Sequence, residues 1–251
     1  MLYKRKGRRA VGERALSLSG ASESPTGGDA TGEIRFPTNY AVLLTGPPGV
    51  GKFEYTVARM REALRLGERV VCVTLDLHPS EVRARAKALG LDLDAAEGKS
   101  FVFVDCYSAT SSERPEPAPG KKTFLVSSFS NLEGIGMAMS KAAQELGTPV
   151  RIFFYTISTL FLHNSTQAIA KFFQIVTGRA KQNMGFILYS VHDGVHEPMT
   201  MNLLRSLVDG VVEMRFTEAM DREMRVHHMR GFAVNSAWRP FTEMPGAPGG
   251  I

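Results

Sequence analysis

From about residue 35 to residue 205, short and nearly continuous apolar runs alternate with stretches of helical periodicity. Residues 41–45 (AVLLT), 70–75 (VVCVTL), 101–105 (FVFVD), 150–156 (VRIFFYT) and 186–191 (FILYSV) have the composition of strands buried on both faces. Between them, apolar residues recur at three- and four-residue spacing: Val57, Met60 and Leu64; Val82, Ala86 and Leu89; Leu132, Ile135 and Met139; Ile169, Phe172, Phe173 and Val176. Each set predicts one apolar helix face. The alternation predicts an α/β fold with a mostly parallel central sheet flanked by helices. Past Arg205 the pattern changes, because residues 211–216 and 224–228 are apolar runs with no room for a helix between them. They predict a C-terminal antiparallel β-hairpin that extends the sheet. No internal repeat is present, so the chain holds one such unit.

Polar segments delimit this unit. Residues 17–32 are rich in Ser, Gly, Thr and Ala, and with the basic residues before them they predict a disordered arm over 1–34. Residues 108–122 carry Pro115, Pro117, Pro119 and Gly120 and predict a long mobile loop inside the domain. Residues 244–251, with two prolines and three glycines, predict a disordered tail. The folded domain is therefore expected over 35–243. The full chain's 43% hydrophobic content is that of a globular protein, and no apolar run is long enough to span a bilayer. Cys72 and Cys106 each sit inside an apolar run, so they predict reduced thiols and a cytoplasmic protein rather than a disulfide framework or a zinc site.

The net charge of +5 hints at nucleic acid until it is located. Residues 1–14 account for all of it, while residues 15–251 carry 24 basic and 24 acidic side chains. The basicity belongs to the arm, which can meet phosphates or an anionic membrane by charge alone, or remain a solvated tail without a specific partner. A nucleic-acid role through the arm is thus the less favoured expectation.

The first apolar run leads into Gly46-Pro47-Pro48-Gly49-Val50-Gly51-Lys52-Phe53. Up to Lys52 this is a phosphate-binding loop. Its glycines let successive backbone N–H groups wrap a polyphosphate, the next helix points its positive end at the anion, and the lysine reaches the terminal phosphates. Position 53 should be Ser or Thr, whose hydroxyl ligates magnesium, and Phe53 has no oxygen to offer. The second magnesium partner should be an acid ending a later apolar strand, and there the chain has Tyr155, a neutral phenol. If that strand is instead residues 101–105, the acid is Asp105.

These motifs resemble the RecA superfamily, and within it the KaiC-like ATPases of archaea and bacteria. The likeness is carried by GPPGVGK after a strand, VTLDLHPSEV after the second, VDCYS after the third, FFYTISTL at the fourth, and the ending HHMRGFAVNSAWRPF. It covers about residues 35–243 and implies a RecA-like P-loop domain that binds ATP, often between the subunits of a ring. By that resemblance, Asp76 stands where a glutamate prepares the attacking water, and Leu77 replaces a second acid. A Lys-x-Arg that reaches a neighbour's ATP falls on His228-Met229-Arg230. Phe53, Leu77, Tyr155 and His228 all depart from the pattern at positions that serve hydrolysis. The phosphate-cradling positions Gly46, Pro47, Pro48, Gly49, Val50, Gly51 and Lys52 are intact.

The expectation is a protein that binds ATP or ADP with weak or absent hydrolysis and without a tight magnesium site, acting as a regulatory or scaffolding nucleotide sensor. Its partners would be the nucleotide, further copies of itself or a related ATPase, and a regulatory protein that the sequence does not specify. One alternative is an active ATPase using Asp76 and Arg230 supplied from a neighbouring subunit; another is a DNA-binding recombinase paralogue. Three smaller questions stay open at this level. Asp76 reads equally as the cap of the following helix. The ring of Phe53 points either into the phosphate site or into the core. His192, Asp193, His196 and Glu197 have a superficial likeness to metal ligands but read better as a loop beside the nucleotide, at the carboxyl ends of the strands.

Overall fold

The computed structural model describes residues 35–110 and 121–242. The expected arm and tail, and residues 111–120 of the expected loop, lie outside the described residues. The described residues form a nine-stranded sheet in the order β4-β3-β2-β5-β6-β1-β7-β8-β9. Its strands are β1 (Ala41–Gly46), β2 (Arg69–Thr74), β3 (Phe101–Asp105), β4 (Thr123–Leu125), β5 (Val150–Tyr155), β6 (Gly185–His192), β7 (Gly210–Phe216), β8 (Arg222–Met229) and β9 (Arg239–Pro240). From β4 to β7 the pairings are parallel, and β7–β8 and β8–β9 are antiparallel. The expected hairpin is β7–β8, and its first strand enters the sheet parallel to β1.

Five helices connect the strands: α1 (Lys52–Arg65), α2 (Pro79–Ala88), α3 (Leu132–Leu146), α4 (Thr166–Arg179) and α5 (Pro198–Ser206). Strand side chains alternate between two buried layers. Ala41, Leu43, Ile152 and Phe154 join the layer under α3, α4 and α5, while Val42, Leu44 and Phe153 join the layer under α1 and α2. This two-sided burial is why the parallel strands read as continuous apolar runs. The aromatic residues Phe153, Phe154, Phe172 and Phe173 are core residues, all buried.

Helix starts follow local chemistry. Asn131 accepts a hydrogen bond from the N–H of Gly134 at 2.8 Å and opens α3, and Ser165 accepts from Ala168 at 3.3 Å and opens α4. The start of α2 is capped by His78, whose Nδ1 accepts from the N–H of Ser80 at 3.2 Å, with Pro79 in the first turn. Asp76 is therefore not the cap of this helix. The first residue of the expected mobile loop, Ser108, is buried and donates its hydroxyl to Asp105 at 2.6 Å, and Lys121 near its end pairs with Asp94 at 2.6 Å.

Candidate functional site

The strand register gathers the candidate residues at one edge of the sheet. Gly46, ending β1, aligns with His192, ending β6, and Thr74, ending β2, aligns with Tyr155, ending β5. These carboxyl ends face the start of α1, and a cleft of about 390 Å³ opens there, walled by Gly49, Gly51, Lys52, Phe53, Arg85, Tyr155 and His192 among others. Ligands of parallel α/β sheets bind at such an edge.

The loop has the backbone its sequence requires. Gly49 and Gly51 have φ of 79° and 107°, in the left-handed region. A side chain at Gly51 would also meet the Phe241 ring at 2.8 Å, and one at Gly46 would meet the carbonyl oxygen of Met214 at 2.7 Å. Phe241 belongs to the RPF segment at the chain's end. Strand β9 pairs with β8, and the Phe241 N–H donates to the Arg222 carbonyl at 2.8 Å, so that segment is brought against the loop. Gly51 is the N-cap of α1, and no side-chain hydrogen bond caps that helix.

Lys52 is 3% exposed, and its Nζ donates to the carbonyl oxygens of Gly46 at 2.6 Å and Pro47 at 2.7 Å. Burial pulls its ammonium pKa down from 10.5 to about 8, and Asp193, Asp76 and Glu54 oppose the change. Asp193 sits behind the loop: its N–H donates to the Gly46 carbonyl at 3.0 Å, and its carboxylate accepts from the Thr45 hydroxyl.

Phe53 and Tyr155 meet here. Their rings contact edge to face, with centroids 5.4 Å apart. Phe53 is buried in the layer under α1 and α2, so its ring is a core residue that also walls the cleft. Burial, with Asp76 and Glu54 nearby, pushes the Tyr155 phenol well above its usual range, against an opposing pull from Arg85. It stays protonated at neutral pH. Neither ring is a magnesium ligand, so the side chains at 53 and 155 do not fit that ion. Asp105, the alternative acid, ends β3 and is bonded to Ser108, on the far side of β2 from β5.

Asp76 lies beside Tyr155. Its carboxylate accepts from the hydroxyls of Thr156, at 2.9 Å, and Thr159, and the His192 Nε2 is 3.9 Å away. The His192 ring Nδ1 is buried without a hydrogen-bond partner. His196 bonds the Ser158 hydroxyl at 2.9 Å, and burial, together with His192, lowers its pKa. Among the described residues, no group of three His, Cys, Asp or Glu side chains is placed to hold a metal ion.

Arg230 is not part of this cluster. It follows β8 at the amino edge of the parallel strands, where its N–H donates to the Asp209 carbonyl at 2.7 Å and its guanidinium contacts the Asp209 carboxylate at 3.1 Å. Gly210, next in the chain, aligns with Val42, about 13 Å along β1 from Gly46 at 3.3 Å per residue. Within one copy, Arg230 and the loop occupy opposite edges of the sheet. Sequence reasoning missed Arg85, Thr156 and Thr159. The threonines follow a strand that ends in Tyr instead of Asp, and Arg85 reads as a surface residue.

A mostly parallel sheet with this loop after its first strand and antiparallel strands at its end is the RecA-type architecture. The fold is similar to that of a KaiC-like protein from the hyperthermophilic archaeon Pyrococcus horikoshii, with a TM-score of 0.65 and 17% identity over 82% of this chain and 87% of that one. The chain belongs to the family of unknown function DUF7504, whose model matches residues 40–214. It is also similar to a UPF0273 protein of Thermotoga maritima, at 25% identity over 82% of this chain and 84% of the relative. A UPF0273 protein of Pyrococcus horikoshii is 23% identical over 82% of this chain and 83% of its own length. Among the described residues, no helix is long and apolar enough to cross a membrane.

Proposed function

We propose that this protein binds ATP or ADP on the loop from Gly46 to Phe53 without a magnesium ligand from its own side chains, hydrolyses it slowly or not at all, and acts as a regulatory or scaffolding nucleotide sensor. The observation that carries this reading is the Phe53–Tyr155 ring contact directly beside Lys52. The two positions that would supply a hydroxyl and a carboxylate to magnesium sit together in space, and both hold rings. The backbone N–H groups at the start of α1 and the Lys52 ammonium still offer affinity for phosphates. Groups that stabilise developing charge are what the site lacks, which lowers rate more than binding. Held without turnover, the nucleotide reports its concentration by favouring the conformation or assembly that binds it better.

The placement of Asp76, held by two threonines beside Tyr155 and the Lys52 ammonium, favours a second reading as an active ATPase. That reading requires a neighbouring copy to bring its Arg230, since Arg230 lies at the opposite edge of its own sheet. Phosphate release from ATP with magnesium separates the two. The expected rate equals that of an Asp76→Asn variant; turnover that Asp76→Asn abolishes would establish the active ATPase instead.

A further inference from the structure

Arg85 projects from α2 onto the wall of the same cleft, facing the loop. Its guanidinium carbon lies 5.9 Å from the centroid of the Phe53 ring, and its charge also acts on the Tyr155 phenol. It therefore stands beside the two rings that occupy the metal-ligand positions. Its ion pair with Glu81, at 2.5 Å, is on the open face of α2, where the two side chains are 53% and 44% exposed. A pair so exposed holds the arginine weakly.

A nucleoside triphosphate bound without a metal keeps the negative charge that magnesium would have offset, and Lys52 supplies a single cation. A guanidinium suits the remaining task. It is always charged, contacts phosphate oxygens through two N–H groups at once, and packs on aromatic faces. We infer that Arg85 takes the place of the divalent cation, turning from Glu81 across the Phe53 ring to neutralise the terminal phosphate of a metal-free nucleoside triphosphate. Phe53 then has a positive use: the residue that removes a magnesium ligand provides the face along which the replacement cation lies. This inference rests on the nucleotide reading above and adds to it the residue that selects triphosphate over diphosphate.

The test is titration of the full chain with ATP and with ADP in EDTA. Arg85→Ala is expected to weaken ATP roughly tenfold or more and ADP by less than about threefold, as for a lost charge-assisted contact to one phosphate. Arg85→Lys should recover part of the loss. Glu81→Gln, which releases the arginine, should leave ATP affinity equal or tighter, showing that the ion pair itself is not what binding needs. An exposed helix position tolerates alanine, so an unchanged melting temperature is expected for Arg85→Ala. If the wild type binds ATP in EDTA and Arg85→Ala binds it equally well, or loses ATP and ADP alike, the role of Arg85 is refuted while the nucleotide reading stands. If the wild type itself binds no ATP, the nucleotide reading fails and this inference with it.

Discussion

Lys52→Ala is expected to weaken ATP binding by roughly ten- to a hundredfold, the effect of losing a charged donor to a phosphate. In the ligand-free chain the ammonium is buried against two backbone carbonyls, and that burial brings its pKa to about 8. A bound polyphosphate supplies the anion that those carbonyls only imitate, so the lysine is more basic in the complex. Two pH effects follow with definite signs. Binding takes up protons as the pH passes through 8, and affinity falls as it rises further. In the free protein the same group acts on stability in the other direction: the unfolded chain holds the Lys52 proton up to 10.5, the folded chain only to about 8, so stability contributed by this group rises across that window. Calorimetry at several pH values, in buffers of different ionisation enthalpy, reads the proton uptake. Lys52→Ala should flatten both the uptake and the pH dependence of affinity.

At the opposite edge of the sheet, Asp209→Ala is expected to cost about 3 kcal/mol of stability, as for removing one partner from a buried ionic cluster. The Asp209 side chain is 4% exposed, and its carboxylate accepts from the Ala41 N–H at 3.0 Å, from Lys181 at 2.7 Å and from Arg230 at 3.1 Å. It ties the start of β1 to Lys181, just past the end of α4, and to Arg230, just past the end of β8. Without it the Ala41 N–H is buried and unpaired, which is the costly part. Lys181 and Arg230 are 30% and 68% exposed and can turn to water. Arg230→Ala should accordingly cost less than about 1 kcal/mol. Urea denaturation of the two variants checks the contrast, and it bears on function. A small stability cost at Arg230 makes that variant a clean probe of any role it has toward a neighbouring copy.

Much of this architecture is legible in the amino-acid order because parallel strands buried on both faces leave uninterrupted apolar runs. β1, β2, β3, β5 and β6 all announce themselves in that way. β4 does not: it is a three-residue edge strand, partly exposed, at the end of a proline-rich segment. α5 is equally quiet, since it buries only Met201 and Leu204. The phosphate loop is legible because glycine spacing encodes backbone geometry directly. The meeting of Phe53 with Tyr155 is not, since it depends on β5 lying near β1 with β6 between them. Arg85 is hidden for a different reason. Its spacing from Glu81 matches a surface ion pair on a polar helix face, and only the packing of α2 beside the cleft brings the arginine to its wall. Asp76 reads equally as a cap and as a site acid, because it precedes a helix by a few residues; His78 performs the capping, and Asp76 accepts instead from Thr156 and Thr159, which follow β5.

Whether the loop from Gly46 to Phe53 holds a nucleotide without a metal site built from the chain's own side chains is read by calorimetric titration with ATP, in magnesium and in EDTA, with Lys52→Ala as the control. Binding that depends on Lys52 and differs little between the two conditions is expected. Binding that needs magnesium would instead show that other residues take over from Phe53 and Tyr155 as metal ligands, and no binding under either condition would leave a RecA-type scaffold with no nucleotide role.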